Sequence, residues 1–290
     1  MLPALTLLSR LGVGCLEPEY NGYIPQYVAP LVPVERFDRS LDSITYMETS
    51  DGVMFGIWGF SENGHPKPVL IMMASSIEET LGSAYFRQCG TKLVEQNDWL
   101  CISLDLPSHG SQIDKNSGVG LEGWAQRIAN GDDIVQENNQ RVKSVLDYLI
   151  ERGLIDKSRI AVSGTSRGGY LALHYAVYDQ RVVSVVAYAP VTSLSVLKEF
   201  GNLSNEHIPS NMDLNKKVYE LSKVDIWAAI GEDDQRVGTN AAAKLFDSIK
   251  QLNSGKDISL HILPSIGHTT PPNALELSYD WVVDKFYRQR

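Results

Sequence analysis

The 290-residue sequence predicts an α/β fold, with a mostly parallel central sheet, helices on both faces and one main domain. Three observations lead there. Continuous apolar runs of strand length, PVLIMMAS at 68–75 and WLCISLDLP at 99–107, suit strands buried on both faces. From residue 83 onward such runs alternate with segments of helical periodicity. Hydrophobic residues make up 43% and charged residues 21%, a balance that suits a folded globular chain and excludes a disordered one.

Taken in order, residues 1–15 (MLPALTLLSRLGVGC) are apolar and end in a cysteine, so an export leader has to be weighed. The stretch lacks an early positive charge, Pro3 interrupts it and Arg10 sits inside it, so the expectation is a cytoplasmic protein. Residues 16–40 are rich in Pro and Tyr without a clear period, and 1–41 is expected to be an arm packed on the domain at 42–290. SITYMET, then Ser50-Asp51-Gly52, then VMFGIWGF reads as a hairpin turning at Asp-Gly. After the strand at 68–75 come a helix near 83–96 and the strand at 99–107. Residues 133–152 carry Ile134, Val142, Val145, Leu146 and Leu149 at helical spacing, closed by Gly153. Strands follow at 159–164, 182–190, 225–231 and 258–264, with helices at 166–178, 239–252 and 274–288. Residues 191–222 break the alternation and are expected to form a small cap insertion that lines the pocket with Leu81 and Trp124. No run approaches the ~18 apolar residues of a membrane span.

The formal net charge is −9, and there is no basic stripe, which argues against a nucleic-acid partner. A small-molecule substrate is the expectation. Cys15, Cys89 and Cys101 are too few and too irregular for a disulfide framework or a zinc site, and Cys101 reads as a buried thiol. No phosphate loop, dinucleotide fingerprint or metal cluster is visible, so neither cofactor nor metal is expected. Asp105 and His109 stand four apart, but Pro107 between them speaks for a loop rather than a metal pair.

The segment that carries chemistry is Gly164-Thr165-Ser166-Arg167-Gly168-Gly169. A bare G-x-S-x-G is weak. Here it follows an apolar strand at once and opens a helix, the setting of a nucleophile elbow. Strand and helix backbones nearly touch in such a turn, so Gly164 and Gly168 would supply room on either side of Ser166. A serine hydroxyl needs a base. Of six histidines, His174 and His261 lie inside regular elements, and His65 and His207 lie in polar loops. His109 follows a strand and remains a minor competitor. His268, between the last strand and the last helix, is where a loop can reach back over the elbow. The third member orients the imidazole, and the strand end AIGEDDQRV offers Glu232, Asp233 and Asp234, of which one should meet the histidine.

The segments GTSRGG, GEDDQRV and the IGH loop together resemble the α/β-hydrolase superfamily, and more narrowly its dienelactone hydrolase and prolyl oligopeptidase-like branches. The resemblance covers roughly residues 42–290. It implies the chain order Ser166, acid, His268, and its G-x-x-D-x-x-V motif selects Asp234 through Gly231 and Val237. LDLPSHG is similar to the D-x-P-G-x-G stretch after the fourth strand. The sequence departs from the family at Met73-Ala74, where many members carry His-Gly. The oxyanion hole implied is the backbone N–H of Ser75 and of Arg167. No propeller repeat is read in the chain, so gating of oligopeptides by one is not expected. The expected function is a serine hydrolase cleaving a carboxylic ester through an acyl-enzyme. Thioesters, small amides and C–C bonds are alternatives that use the same groups. A non-catalytic hydrolase fold that binds a ligand is the rival from another class.

Overall fold

A computed structural model describes residues 44–60, 64–201, 203 and 208–288. The arm expected over 1–41, with Cys15 and the leader weighed at 1–15, lies outside the described residues, as does His207.

The sheet has eight strands in the order β1-β2-β4-β3-β5-β6-β7-β8: β1 Thr45–Glu48, β2 Met54–Trp58, β3 Lys67–Met73, β4 Leu100–Ser103, β5 Ile155–Thr165, β6 Val182–Tyr188, β7 Asp225–Gly231 and β8 Ile258–Leu263. Only β1 against β2 and β2 against β4 run antiparallel; every other pairing is parallel. Helices α1 Ile77–Gly82, α2 Ala84–Arg87, α3 Cys89–Asn97, α4 Gly120–Ala129, α5 Ile134–Glu151, α6 Arg167–Tyr178, α7 Val218–Leu221, α8 Thr239–Lys250 and α9 Ala274–Val283 supply the crossovers and covers. This is the α/β-hydrolase fold.

The strand period of two decides which helix each residue meets. In β3, Val69, Ile71 and Met73 join the cluster built with α5 and α6, while Leu70 and Met72 join the one built with α1, α3 and α9. All seven residues of β3 are buried, so its apolar run is continuous and not alternating. Each large side chain so buried contributes about 1.5–3 kcal/mol of transfer free energy. Cys101 is fully buried in the second cluster, and burial pushes its thiol pKa up.

Three expectations need correction. The helix foreseen at 83–96 is three pieces over 77–97, broken where Ser83 turns extended and Gln88 takes φ 45°. Helix α4 was not foreseen, although Leu121, Trp124 and Ile128 bury one face; the Gly/Ser/Asp-rich stretch before it hid the period. Leu81 and Trp124 do not face a pocket. Both are fully buried core residues, and the Trp124 indole N–H donates to the Pro107 carbonyl at 2.6 Å.

Within 191–222 the described residues form short 3-10 turns and α7. Leu194, Leu197, Phe200, Met212, Leu214 and Leu221 are buried in the main cluster. Arg236, two residues after Asp234, holds Glu199 of this segment at 2.6 Å.

Candidate active site

Strand β5 ends at Thr165 and α6 begins at Arg167, which leaves Ser166 alone in the turn at φ 57°, ψ −117°. That backbone conformation is costly for a non-glycine residue and persists only where neighbours impose it. Here they do. The Ser166 N–H donates to the Tyr188 carbonyl at 2.8 Å, and the Ser166 carbonyl accepts from Val191 N–H at 3.0 Å. The flanking glycines are required by contact, not by flexibility. A Cβ on Gly168 would lie 1.8 Å from the Met73 carbonyl oxygen, and one on Gly164 would lie 2.2 Å from that of Gly168. Any side chain at either position would push α6 off the sheet.

The loop after β8 brings His268 to the serine. Its Nε2 lies 2.9 Å from Ser166 Oγ, and its Nδ1 lies 2.7 Å from Asp234 Oδ2. The loop is anchored at both sides. A Cβ on Gly231 would meet Ser265 Oγ at 2.2 Å, and Thr270 N–H donates to the Tyr85 hydroxyl of α2 at 3.1 Å. Gly267, just before His268, takes φ 56°.

The three acids differ in burial. Glu232 and Asp233 are exposed, whereas Asp234 is 1% exposed. Its second oxygen, Oδ1, accepts the N–H groups of Arg236 at 3.0 Å and Val237 at 3.2 Å. A carboxylate fixed on two amides has one free oxygen and one direction in which to offer it. Nδ1 facing a carboxylate implies a proton there, which leaves the Nε2 lone pair toward the serine hydroxyl. An imidazole so placed can take the Ser166 proton and return it to a leaving group.

The two amides expected to form an oxyanion hole differ. Arg167 is the first residue of α6, so its N–H belongs to the unpaired donors of a helix start. The Ser75 N–H is already engaged, donating to Thr80 Oγ1 at 3.2 Å. Nothing in the local sequence signals this, because it depends on how α1 folds back over the end of β3.

The remaining histidines are placed elsewhere. His174 is buried against Tyr170, with ring centroids 4.5 Å apart. His261 stacks on Trp227, and His65 is exposed. His109 is 6% exposed, and its Nδ1 lies 2.8 Å from the Pro107 carbonyl. Burial, seconded by the nearby Arg167 guanidinium, pushes its pKa down to about 4. Asp105 does not approach it as a metal partner. Its carboxylate accepts the N–H of Ile77 at 2.8 Å and both N–H and hydroxyl of Ser111 at 2.7 Å, so it clasps two loops.

The family model for the prolyl oligopeptidase family matches residues 122–288, more than half of the chain, and spans the elbow, Asp234 and His268. The chain belongs to the prolyl oligopeptidase family. It is thus a serine hydrolase of the α/β-hydrolase superfamily. Over 161 residues, 52% of this chain, it is 27% identical to dipeptidyl peptidase family member 1 of Caenorhabditis elegans, of which the match covers 20%. Over 55 residues, 19% of this chain, it is 44% identical to acylamino-acid-releasing enzyme 2 of Oryza sativa subsp. japonica, covering 7% of that protein. The matches thus span a fifth or less of these relatives' length. Among solved structures, acetyl xylan esterase 1 from Thermoanaerobacterium sp. JW/SL YS485 superposes with a TM-score of 0.59 at 15% identity, covering 86% of this chain and 92% of that one. At that identity the likeness is one of fold. Among the described residues no helix is long and apolar enough to cross a membrane.

Proposed function

We propose that the protein cleaves a carboxylic ester of a small molecule by two-step acyl transfer, with Ser166 as nucleophile, His268 as base and Asp234 as the acid that orients it. The observation that carries this reading is the unbroken relay from Asp234 Oδ2 through both nitrogens of His268 to Ser166 Oγ. In the first step the Oγ proton passes to His268 Nε2 while Oγ bonds to the substrate carbonyl carbon. The oxyanion then faces the Arg167 amide, and the Ser75 amide can add a second bond if it exchanges its bond to Thr80 Oγ1. Loss of one such donor costs on the order of 3 kcal/mol of transition-state stabilisation. Collapse breaks the C–O bond, and the departing oxygen takes the proton from His268. Water repeats the sequence to release the acid.

Family membership supports a second reading, cleavage of an amide bond in a short peptide, as the names of the two curated relatives suggest. The same groups serve both reactions, but an amine leaves less readily than an alcohol and depends more on proton delivery by His268. A panel of p-nitrophenyl esters of graded acyl length, set beside an acyl-CoA thioester and aminoacyl and dipeptidyl p-nitroanilides, separates these readings. Turnover of an ester, lost in Ser166→Ala with the melting temperature nearly unchanged, is the expected outcome. Turnover of the anilides alone would favour the peptidase. Ester turnover that survives Ser166→Ala would overturn the mechanism.

A further inference from the structure

The side chain that follows the nucleophile has no part in the steps above. Arg167 is half-buried, and its Nε donates to the Ala74 carbonyl at 3.3 Å. This places the guanidinium beside the exit of β3, next to the Ser75 amide. Its Nη1 reaches the start of α4, lying 3.4 Å from where a Cβ on Gly120 would stand. Neither Nη atom has an acceptor within hydrogen-bond distance among the described residues, and no carboxylate lies within 4.0 Å as an ion-pair partner. The nearest acids are committed or distant: Glu199 is held by Arg236 at 2.6 Å, and Glu79 is exposed on α1 beyond ion-pair reach. Burial costs the guanidinium solvation and lowers its pKa, with Glu79 and Glu199 opposing and Arg236 reinforcing that shift. A half-buried guanidinium with its forked end unspent is unusual, because such groups are normally paired.

A second observation marks the same place. Among the described residues His109 Nε2 is buried and without a partner, and it lies 3.7 Å from the Cβ position on Gly120 that Arg167 Nη1 approaches to 3.4 Å. With Nδ1 facing the Pro107 carbonyl, Nε2 is the bare acceptor of a neutral imidazole. Gly120, at φ 63°, adds no side chain between them. A cationic fork, carried by the residue that follows the nucleophile in the chain, and a neutral acceptor thus both approach the side-chain-free Gly120.

We propose that this spot is a substrate-recognition subsite in which the Arg167 guanidinium binds a carboxylate carried by the substrate, with His109 Nε2 accepting from a hydroxyl, amide N–H or water beside it. A guanidinium presents two parallel N–H donors that match a carboxylate bidentately, and an ester with a free acid group supplies one. The inference rests on Ser166 being the nucleophile, and it names the substrate class of that site: esters bearing a negative charge near the scissile bond.

The test compares matched pairs. One pair carries the charge on the leaving group (4-acetoxybenzoate and its methyl ester). The other carries it on the acyl part (p-nitrophenyl hemiadipate and p-nitrophenyl hexanoate). In the wild-type protein the anionic member of at least one pair is expected to show the higher kcat/KM. Arg167→Met, which keeps the backbone amide, is expected to lower that preference by about tenfold to a hundredfold, the range of a hydrogen bond to a charged group. Arg167→Lys is expected to restore part of it. A second readout does not need turnover. Benzoate should slow labelling of Ser166 by a neutral fluorophosphonate in the wild-type protein and leave the rate in Arg167→Met unaffected. Equal handling of both members of each pair by the wild-type protein, or the same preference in Arg167→Met, would overturn the subsite while leaving the Ser166 reading intact. Absence of both turnover and labelling in the folded protein would remove that reading, and the subsite with it.

Discussion

Two loops at the carboxyl edge of the sheet each present a histidine, one facing the aspartate of the neighbouring loop after β7 and one following an aspartate of its own loop, and the two histidines stand in opposite settings. After β8, His268 is half-buried, with Asp234 on one nitrogen and Ser166 on the other. After β4, His109 is buried, with a backbone carbonyl on one nitrogen and, among the described residues, nothing on the other. The carboxylate nearest in sequence, Asp105, is spent on Ile77 and Ser111. A carbonyl can orient an imidazole but carries no charge to stabilise its cation, and burial penalises that cation further. On the proposed mechanism, the difference teaches that a histidine at a strand end serves as a base through the acid behind it and the solvent beside it, not through its position in the chain.

The strongest way to break this comparison is to exchange the losses. His268→Ala is expected to lower kcat by about 10⁶-fold, as removal of a triad base does, whereas His109→Gln should cost about tenfold at most. Comparable losses would mean that the two loops share the chemistry. The acids sharpen the contrast. Asp234→Asn is expected to lower kcat by about 10⁴-fold, because the imidazole loses both its orientation and the charge behind it. Asp105→Asn should instead act on stability, by about 1–3 kcal/mol for weakened bonds to the buried Ile77 amide and to Ser111, and leave the turnover of folded protein much closer to wild type. Melting temperature and kcat measured together on the two variants separate the effects.

The smallest expected effect is on stability against pH. His109 titrates at about 4 when folded and near 6.5 when unfolded. Between those values the unfolded chain binds a proton that the folded one refuses, so stability falls as pH drops through that window and levels off below about 4. His109 alone would account for on the order of 3 kcal/mol of that loss. His174, pushed down to about 3 by full burial, adds a decline in the same direction that reaches to lower pH. His109→Gln should flatten the melting-temperature profile between pH 6.5 and 4. An unchanged profile would show that this imidazole is solvated in the native state.

The elements around the site show what the sequence can and cannot disclose. The elbow was legible because it is a local event: a strand, a serine and glycines at fixed offsets, each required by a backbone contact with its neighbours. The strands were legible because burial on both faces leaves continuous apolar runs. The choice of Asp234 over Asp233 came from a family motif, since adjacent carboxylates differ only in burial, which a sequence does not display. Ser75 follows from the family resemblance, as the residue after Met73-Ala74, and the Thr80 hydroxyl that occupies its amide is not legible in the spacing. Leu81 and Trp124 are misread for a related reason: position along the chain does not say whether the face of a helix that carries a side chain turns to the site or to the core. The tie between Thr270 and Tyr85 joins residues separated by 185 positions, and no local pattern carries it.

Intact-mass measurement after exposure to a neutral fluorophosphonate tests the central claim most directly. The account predicts a single adduct, mapped to the peptide that contains Ser166 and formed far more slowly in His268→Ala. A folded wild-type protein that gains no adduct, or gains one on a different serine, would contradict it.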